Sequence, residues 1–290
     1  MKLDVFSHCA IDTIYINDTN YVVPGGAACY CSLMANALKF DVSLHTKFGS
    51  DFSLVDYLSK NKIIIKNGLS EKETTKFTLK ILSSDRTIFL ENQCGDINYV
   101  GLDSGNVLIS PIFSEISDKV FEKIKKDSNF IFLDPQGFLR RKDTKNKIYL
   151  EKTDMNLSSV SAIKISPDEL ECFTNNRDAD GMCYLQKKGI ENVILTNKQN
   201  ISLLSKDKIY TILLPDLELF DTTGVGDIFS ATFCCTMIKE NDILWALSFA
   251  GGAAQAALES KQIGLEKIPT KGAVETNAYY FYNTIKFKQI

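Results

Sequence analysis

Asp221-Thr222-Thr223-Gly224-Val225-Gly226-Asp227 leads directly into Ile228-Phe229-Ser230-Ala231-Thr232-Phe233. Two glycines bracket a small apolar residue, a carboxylate follows at once, and an apolar helical run begins there. A glycine-permissive turn feeding a helix N-terminus leaves backbone N–H groups without intrahelical partners, and the helix dipole adds partial positive charge. Such a turn is an anion cradle. An aspartate beside an anion is electrostatically unfavourable unless it takes a proton from a group attacking that anion. The combination points to phosphoryl transfer. An ordinary loop ending in an aspartate N-cap carries the same letters, so the rest of the chain must decide.

Two other glycine motifs do not fit. A dinucleotide fingerprint requires a third glycine where Phe229 stands, and it belongs in the first strand–helix turn of a domain, not near its end. A phosphate loop of the Walker type requires Gly-Lys-Ser/Thr, and the chain has no Gly-Lys pair.

With 290 residues, the chain has the length of one large α/β domain, or of a domain plus a small appendage. The net charge of −3, from 36 acidic and 33 basic residues with no long basic run, gives no electrostatic footprint for nucleic acid or a membrane surface. Eight cysteines show no CxxC pair, and only His8 and His45 could supply imidazoles, which argues against a zinc site. These thiols read as buried small hydrophobes in a reducing compartment. The segment Ile243–Leu258 is interrupted by Ser248, Gly251, Gly252 and Gln255, and it is shorter than the roughly 20 residues of a membrane span. The N-terminus reads as a first strand and not as a signal peptide, so the expected location is the cytoplasm.

β-rich runs alternate with helical patterns over most of the chain. Expected core strands are Leu3–Phe6, Val42–His45, Val107–Ser110, Asn129–Leu133, Ala162–Ile165 and Val193–Thr196. Helical stretches lie near Ala27–Leu38, Ser114–Lys126, Gly181–Lys188, Asp227–Lys239 and Leu244–Leu258. This alternation predicts a mainly parallel sheet covered by helices. Two segments break it. Ile14 and Ile16 lead through Asn17-Asp18-Thr19-Asn20 to Tyr21-Val22-Val23, and Phe77, Leu79 and Ile81 turn at Ser83-Ser84-Asp85-Arg86 into Thr87-Ile88-Phe89-Leu90. Two hairpins without intervening helices predict a small four-stranded sheet, which can serve as a lid over a cleft or as a dimer surface.

Several residues could serve a site beside the glycine turn. Asp12 is read as following the first strand, where open α/β sheets bind ligands and a carboxylate can accept from two neighbouring hydroxyls of a polyol. A turn-capping role fits it equally. Pro24-Gly25-Gly26-Ala27-Ala28 gives close backbone approach and free N–H groups at a helix start, or a plain hinge. Asp168 and Glu171, three apart in Ser166-Pro167-Asp168-Glu169-Leu170-Glu171, share a helix face and could hold Mg²⁺ through waters, or merely complement the dipole. Gln136 and Arg140, in Asp134-Pro135-Gln136-Gly137-Phe138-Leu139-Arg140-Arg141, could reach a phosphate or a substrate oxygen, although solvated arginines are the commoner outcome.

Together these pieces resemble the ribokinase-like (pfkB) family of small-molecule kinases. The late Asp221–Asp227 motif is close to that family's most specific signature, and Pro24-Gly25-Gly26, Lys47-Phe48-Gly49-Ser50-Asp51 and Ser166–Glu171 occur in the right order. The resemblance spans the chain and implies one ribokinase-like domain over 1–290. It implies a three-layer α/β core with a mainly parallel central sheet, plus a four-stranded β lid from about 12–24 and 74–92. It also implies a phosphotransferase acting on an alcohol with ATP and Mg²⁺, a monovalent cation near the anion hole being an optional third cofactor. By position, Asp227 would be the catalytic base and Gly224, Val225 and Gly226 the anion hole. Asp12, Gly25, Gly26, Gln136 and Arg140 would bind the acceptor. Thr196, Lys198, Thr223 and Gly252 would approach the nucleotide, and Asp168 and Glu171 would lie in the asparagine-x-x-glutamate region that organises the metal.

Three departures shape the expectation. Tyr30 stands where many sugar kinases of the family carry asparagine, and an aromatic cannot reproduce an amide's paired donor and acceptor. Thr196-Asn197-Lys198-Gln199-Asn200 lacks the glycines usual in the nucleotide loop, and Asp168 stands in place of asparagine. Gly25–Tyr30 with Asp134–Gly137 leans toward the inositol-kinase-like branch. A nucleoside kinase and a non-catalytic polyol-binding relative are the alternatives. Small-molecule partners are expected, with no nucleic acid and no membrane, and a homodimer through the lid is the protein partner implied.

Overall fold

Short aliphatic runs bounded by polar residues become the strands of a ten-stranded sheet in the computed structural model. It describes residues 1–290 except Asn17, Asp18, Ser83, Ser84 and Leu219, and except the side chains of residues 81, 82, 85 and 86. The expected hairpin turns at 17–20 and 83–86 thus fall partly outside the described residues. The large sheet contains β1 (Lys2–Phe6), β4 (Asp41–His45), β5 (Ile64–Lys66), β8 (Asn106–Ile109), β9 (Phe130–Leu133) and β12 (Ala162–Ile165). It continues through β13 (Asn192–Asn197), β14 (Asn200–Ser205), β15 (Lys208–Leu213) and β16 (Lys286–Gln289). Its order is β16-β15-β14-β13-β12-β9-β8-β1-β4-β5. From β5 to β13 every pairing is parallel, and β13 to β16 pair antiparallel.

Helices cover both faces, giving the three layers. Leu3 and Val5 of β1 pack with residues of α1 (Ala27–Ala37), α7 (Val225–Glu240), α8 (Ile243–Glu259) and α9 (Lys271–Thr284) in one apolar cluster. Val107, Ile109, Ile131 and Leu133 pack with α3 (Asp118–Asp127), α5 (Pro167–Thr174) and α6 (Ala179–Lys187) in another. The short α2 (Val55–Lys60) and α4 (Gln136–Leu139), with the ribbon β10 (Arg140–Lys142) and β11 (Ile148–Leu150), complete the elements. Residues Ile228 to Thr236 of α7 are all buried, as its apolar circumference predicts. Its Thr232 and Thr236 hydroxyls donate back to Ile228 O (2.7 Å) and Thr232 O (2.8 Å), so the interior helix buries no unpaired threonine. Six of the eight cysteines are buried, and all eight are free thiols.

β2 (Ala10–Ile16), β3 (Thr19–Gly25), β6 (Thr75–Leu82) and β7 (Asp85–Asn92) form the separate small sheet, in the order β3-β2-β6-β7. One expectation is corrected here. Asp12 does not follow a core strand: β1 stops at Phe6, and Asp12 lies inside β2, opposite Val23 and Phe77. The chain leaves the large sheet at Ser7–Cys9, and Ser7 N–H keeps one last bond to His45 O (3.2 Å). The Lys47–Asp51 motif anchors the root of this sheet. Asp51 Oδ1 accepts from Thr74 N (2.9 Å) and Thr74 Oγ1 (2.7 Å), and Oδ2 pairs with Lys76 Nζ (2.9 Å).

Strands β14 to β16 were absent from the expectation. β16 has one apolar residue in four, too short a pattern to read, and although exposed along its whole length it is recruited by pairing with β15.

Candidate active site

A cavity of about 160 Å³ opens between the small sheet and the carboxyl ends of the core strands. Asp12, Phe77, Leu79 and Ile88 form its wall on the small sheet. Lys164 of β12, Gln136 of α4 and Arg140 of β10 line it opposite, and the starts of α1 and α7 close its base.

Both helix starts follow a glycine at positive φ, though ψ is 157° at Gly26 and −4° at Gly224. α1 begins after Gly26 at φ 80° and α7 after Gly224 at φ 78°, and neither N-cap supplies a side-chain acceptor. Glycine takes positive φ without strain, and the region of Gly26, with ψ at 157°, is essentially closed to other residues. Space demands it as well: a β-carbon on Gly224 would stand 2.5 Å from the Tyr30 ring, and one on Gly26 would stand 2.6 Å from His8 O. In α7 the helical ladder starts with Ile228 N–H to Gly224 O (2.9 Å), and Val225 N–H makes a long bond to Thr222 O (3.4 Å). The N–H groups of Gly226 and Asp227 precede that ladder, where helix geometry gives them no intrahelical partner. Gly226 and Asp227 both line the cavity.

Asp227 accepts a bond from Ser110 Oγ (3.4 Å). Burial and the nearby Asp134 carboxylate push its pKa up to about 6, against the pull of Lys164, Arg140 and Ser110. Lys164 is a lysine within an apolar strand. Its Nζ pairs with Asp134 Oδ2 at 2.5 Å, with both side chains buried, and lies 2.9 Å from where a Gly226 β-carbon would be. Burial alone would discharge it, but Asp134, Glu169 and Asp227 outweigh that and raise its pKa. A fixed ammonium therefore stands at the α7 N-terminus beside a carboxylate that titrates close to neutrality. Arg140 is held at the rim by donating to Ile112 O (3.0 Å), and the buried Glu115 braces that segment through the N–H groups of Ile112 and Phe113 (both 2.7 Å).

Two buried hydroxyls complete the site. Tyr30 OH and Thr223 Oγ1 have no hydrogen-bond partner among the described residues, although Tyr30 is 1% and Thr223 5% exposed. A buried hydroxyl without a partner costs free energy, so each marks a place where a ligand can supply one.

A model of the pfkB family carbohydrate kinases matches residues 3–271. The chain belongs to that family. It is a phosphotransferase of the carbohydrate-kinase type, and its fold agrees. A pyrophosphate-dependent kinase of the ribokinase family, solved as a sulfate complex, superposes with TM-score 0.83 at 19% identity, over 94% of this chain and 99% of that one. Arabidopsis thaliana ribokinase, complexed with ribose and ATP, gives 0.73 at 17% identity, over 95% and 98%. The nucleoside kinase of Methanocaldococcus jannaschii gives 0.76 at 20% identity, over 96% and 98%. No curated protein sequence matches this kinase.

Within the kinase, the cavity gathers Asp12, Gly26, Gln136, Arg140, Thr223, Gly224, Gly226 and Asp227 from the expected residues. Gly25 sits at its edge, where a β-carbon would meet Asp12 Oδ2 at 3.2 Å. Val225 is the first residue of α7. Other expected residues lie elsewhere. Thr196 turns its hydroxyl toward Ile165 O (3.5 Å), and Lys198 occupies the tight β13–β14 turn at φ 53°. Gly252 is buried where α8 meets α9, with no room for a β-carbon against Val274 O (2.7 Å). Asp168 and Glu171 face solvent, and Arg177 pairs with both. Among the described residues no three His, Cys, Asp or Glu side chains cluster as a metal nest. Two exposed carboxylates already paired with one arginine do not by themselves fit a resident metal.

The three-residue spacing has a second solution one register away. Ser166 and Glu169 form a capping box at the start of α5, with Glu169 Oε2 accepting from Ser166 N and Oγ (both 2.8 Å), and Glu169 contributes to the charge around Lys164. Lys164, Asp134 and Glu169 are the site residues that sequence reading missed. The available signal was a charged residue inside Ala162-Ile163-Lys164-Ile165, since a lysine in a fully buried strand needs a counter-charge.

No helix among the described residues is long and apolar enough to cross a membrane.

Proposed function

We propose that this kinase transfers a phosphoryl group from ATP to one hydroxyl of a small sugar or polyol, with an inositol-like acceptor favoured. The observation that carries the reading is Asp227: a carboxylate with pKa about 6, facing a cavity whose floor is an uncapped helix N-terminus. In this reading Asp227 orients the acceptor hydroxyl and takes its proton as the oxygen attacks. The N–H groups at the start of α7 and the Lys164 ammonium stabilise the charge developing on the transferred group, because they are fixed before reaction and need no reorganisation. Asp12, Gln136 and the Tyr30 hydroxyl offer one acceptor-only group, one amide and one phenol toward the acceptor, a set suited to several adjacent hydroxyls. The small sheet acts as a lid that keeps water from competing with the alcohol.

A second reading of the donor is pyrophosphate. It is favoured by the cavity at the anion hole, whose lining includes none of Thr196, Lys198 and Gly252. Two of the similar structures, including the sulfate complex above, are described as pyrophosphate-dependent ribokinase-family kinases. One experiment tests both readings. Inositols, pentoses, hexoses and nucleosides are incubated with ATP or pyrophosphate, and the phosphorylated position is located by ³¹P–¹H correlation. Phosphorylation of a cyclic polyol is expected. Turnover of nucleosides alone would move the assignment to a nucleoside kinase, and binding without turnover of any acceptor would sink the reading.

A further inference from the structure

An anion hole made of backbone has a rear side. A trans peptide that points its N–H into a cavity points its C=O the opposite way. Behind the glycine turn, Asp221 O and Thr223 O converge on one point, and Asp221 Oδ2 joins them. Three oxygens directed at one buried point, one of them a carboxylate's, are well matched by a cation that can donate to all three.

The chain itself supplies it. Lys267 Nζ stands 2.5 Å from Asp221 Oδ2, 2.8 Å from Asp221 O and 2.9 Å from Thr223 O, with the residue 2% exposed. An ammonium carries three donors and no acceptor, which suits an oxygen cage of this kind. Lys267 ends the short 3₁₀ turn Gly264–Lys267, and the same turn gives Gly264 N–H to Asp221 Oδ2 (3.1 Å). Asp221 Oδ1 in turn accepts Thr223 N–H (2.8 Å), so carboxylate, loop and lysine form one buried unit. Because Thr223 C=O is drawn toward Lys267, the N–H of the same peptide, on Gly224, is directed to the other side, where the cavity lies.

The monovalent cation that the sequence resemblance brought to this neighbourhood does not fit. Its oxygens are in use, and a second positive charge would sit against the first with no water to screen it. We propose that Lys267 is a tethered substitute for a monovalent cation: it neutralises the rear of the anion hole, sets the orientation of the 221–226 loop, and makes the kinase independent of free potassium or ammonium. Lys267 is thus a positioning residue, acting on the transferred group through the Thr223–Gly224 peptide. The rate arm of the test rests on the proposed phosphoryl transfer; the thermal arm does not.

The experiment compares potassium, ammonium, sodium and choline chloride at one ionic strength, on the wild type and on Lys267→Ala. For the wild type, the unfolding midpoint and the phosphotransfer rate are expected to be the same in potassium and in choline. A potassium activation of about fivefold or more, or a midpoint raised by potassium but not by choline, would overturn the proposal. Lys267→Ala empties the cage, so its midpoint is expected to rise in potassium or ammonium relative to choline, and its rate, down roughly 10²-fold in choline, to recover with the same ions. A folded Lys267→Ala that responds equally to all four salts would also overturn it, because a purely structural lysine leaves no cation selectivity behind. If that variant folds in no salt, the wild-type comparison decides alone. An inactive wild type whose midpoint ignores the salt would count against the reaction and not against the lysine.

Discussion

Two helix N-termini flank the same strand ends and do opposite things. α5 starts with Ser166, whose hydroxyl accepts Glu169 N–H, while Glu169 bonds back to Ser166 N–H. Glu169 N–H is thus satisfied within the chain, Pro167 has no N–H to offer, and the exposed acids are held by Arg177. α7 starts with a left-handed glycine and no side-chain cap, and its first N–H groups border a cavity. A capped terminus is a structural joint; an uncapped one beside a raised carboxylate and a buried ammonium is a site. The charge pattern separates them too. At α5 the acids Asp168 and Glu171 are solvated, whereas at α7 the single Asp227 is driven up to about 6 by burial and by Asp134. Unsatisfied potential is concentrated at one end of one helix, and the sheet, the α1 start and the Asp221–Lys267 unit hold it there.

The contrast breaks most sharply at Asp227. Asp227→Asn keeps size and hydrogen bonding but removes the base, so turnover should fall roughly 10²- to 10⁴-fold. Stability should move the other way. A carboxylate whose folded pKa lies above its unfolded value favours folding when protonated, and that advantage is lost as pH rises from about 4 through about 6. At neutral pH the ionised Asp227 therefore costs stability, on the order of 1 kcal/mol once access from the cavity is allowed for. A thermal midpoint for Asp227→Asn at or above the wild type, together with lost turnover, is the expected pair. A normal rate would remove the base from the mechanism.

The same titration gives a pH profile. The carboxylate form acts, so kcat/KM should rise with pH, level off above about 6, and stand about tenfold below its plateau one unit lower. Arg140 pulls that pKa down from the rim, so Arg140→Gln should shift the rise to higher pH. A profile flat from pH 5 to 8 would show that Asp227 is not the group being titrated.

How much of this was legible follows the same division. The α7 start was readable because glycine, glycine and aspartate in sequence restrict the backbone and the charge at once. The small sheet was readable from alternation in Phe77, Thr78, Leu79 and Lys80. Asp12 was found for a partly wrong reason: it lines the cavity, but it reaches it from β2 and not from a core strand. Asp168 and Glu171 illustrate a real limit. Spacing places two acids on one helix face, yet only docking against the sheet decides which face turns inward, and Leu170 and Glu169 took that side. Lys164 and Lys267 are harder still, since a buried lysine is recognised by partners far along the chain: Asp134 for one, Asp221 for the other.

Tyr30 gives a smaller and more selective effect. Its hydroxyl is buried without a partner, and burial, with Asp12, Asp221 and Asp227 nearby, raises its pKa well above the usual phenol range. Tyr30→Phe removes an unpaired polar atom and keeps the ring that packs on Gly224, so the free kinase should be as stable as the wild type or slightly more so. If the acceptor supplies the missing partner, KM for it should rise by roughly three- to tenfold, the equivalent of one ordinary hydrogen bond, with kcat little changed. An unchanged KM would place the acceptor away from α1.

The smallest effect is expected at the closed terminus, and it is the most pointed check on the contrast. Asp168→Asn with Glu171→Gln removes two exposed charges whose partner is Arg177, also exposed. Exposed pairs of that kind contribute little to stability, and salt screens what remains. The double variant should keep its rate and its Mg²⁺ dependence within about twofold of the wild type, which is the expectation for groups that never meet the donor. A Mg²⁺ requirement shifted tenfold or more would mean that α5 turns this face toward the phosphates during turnover. In that case the N-terminus of α5, closed by its own capping box here, would share the chemistry with α7, and the division between joint and site would hold only for the resting enzyme.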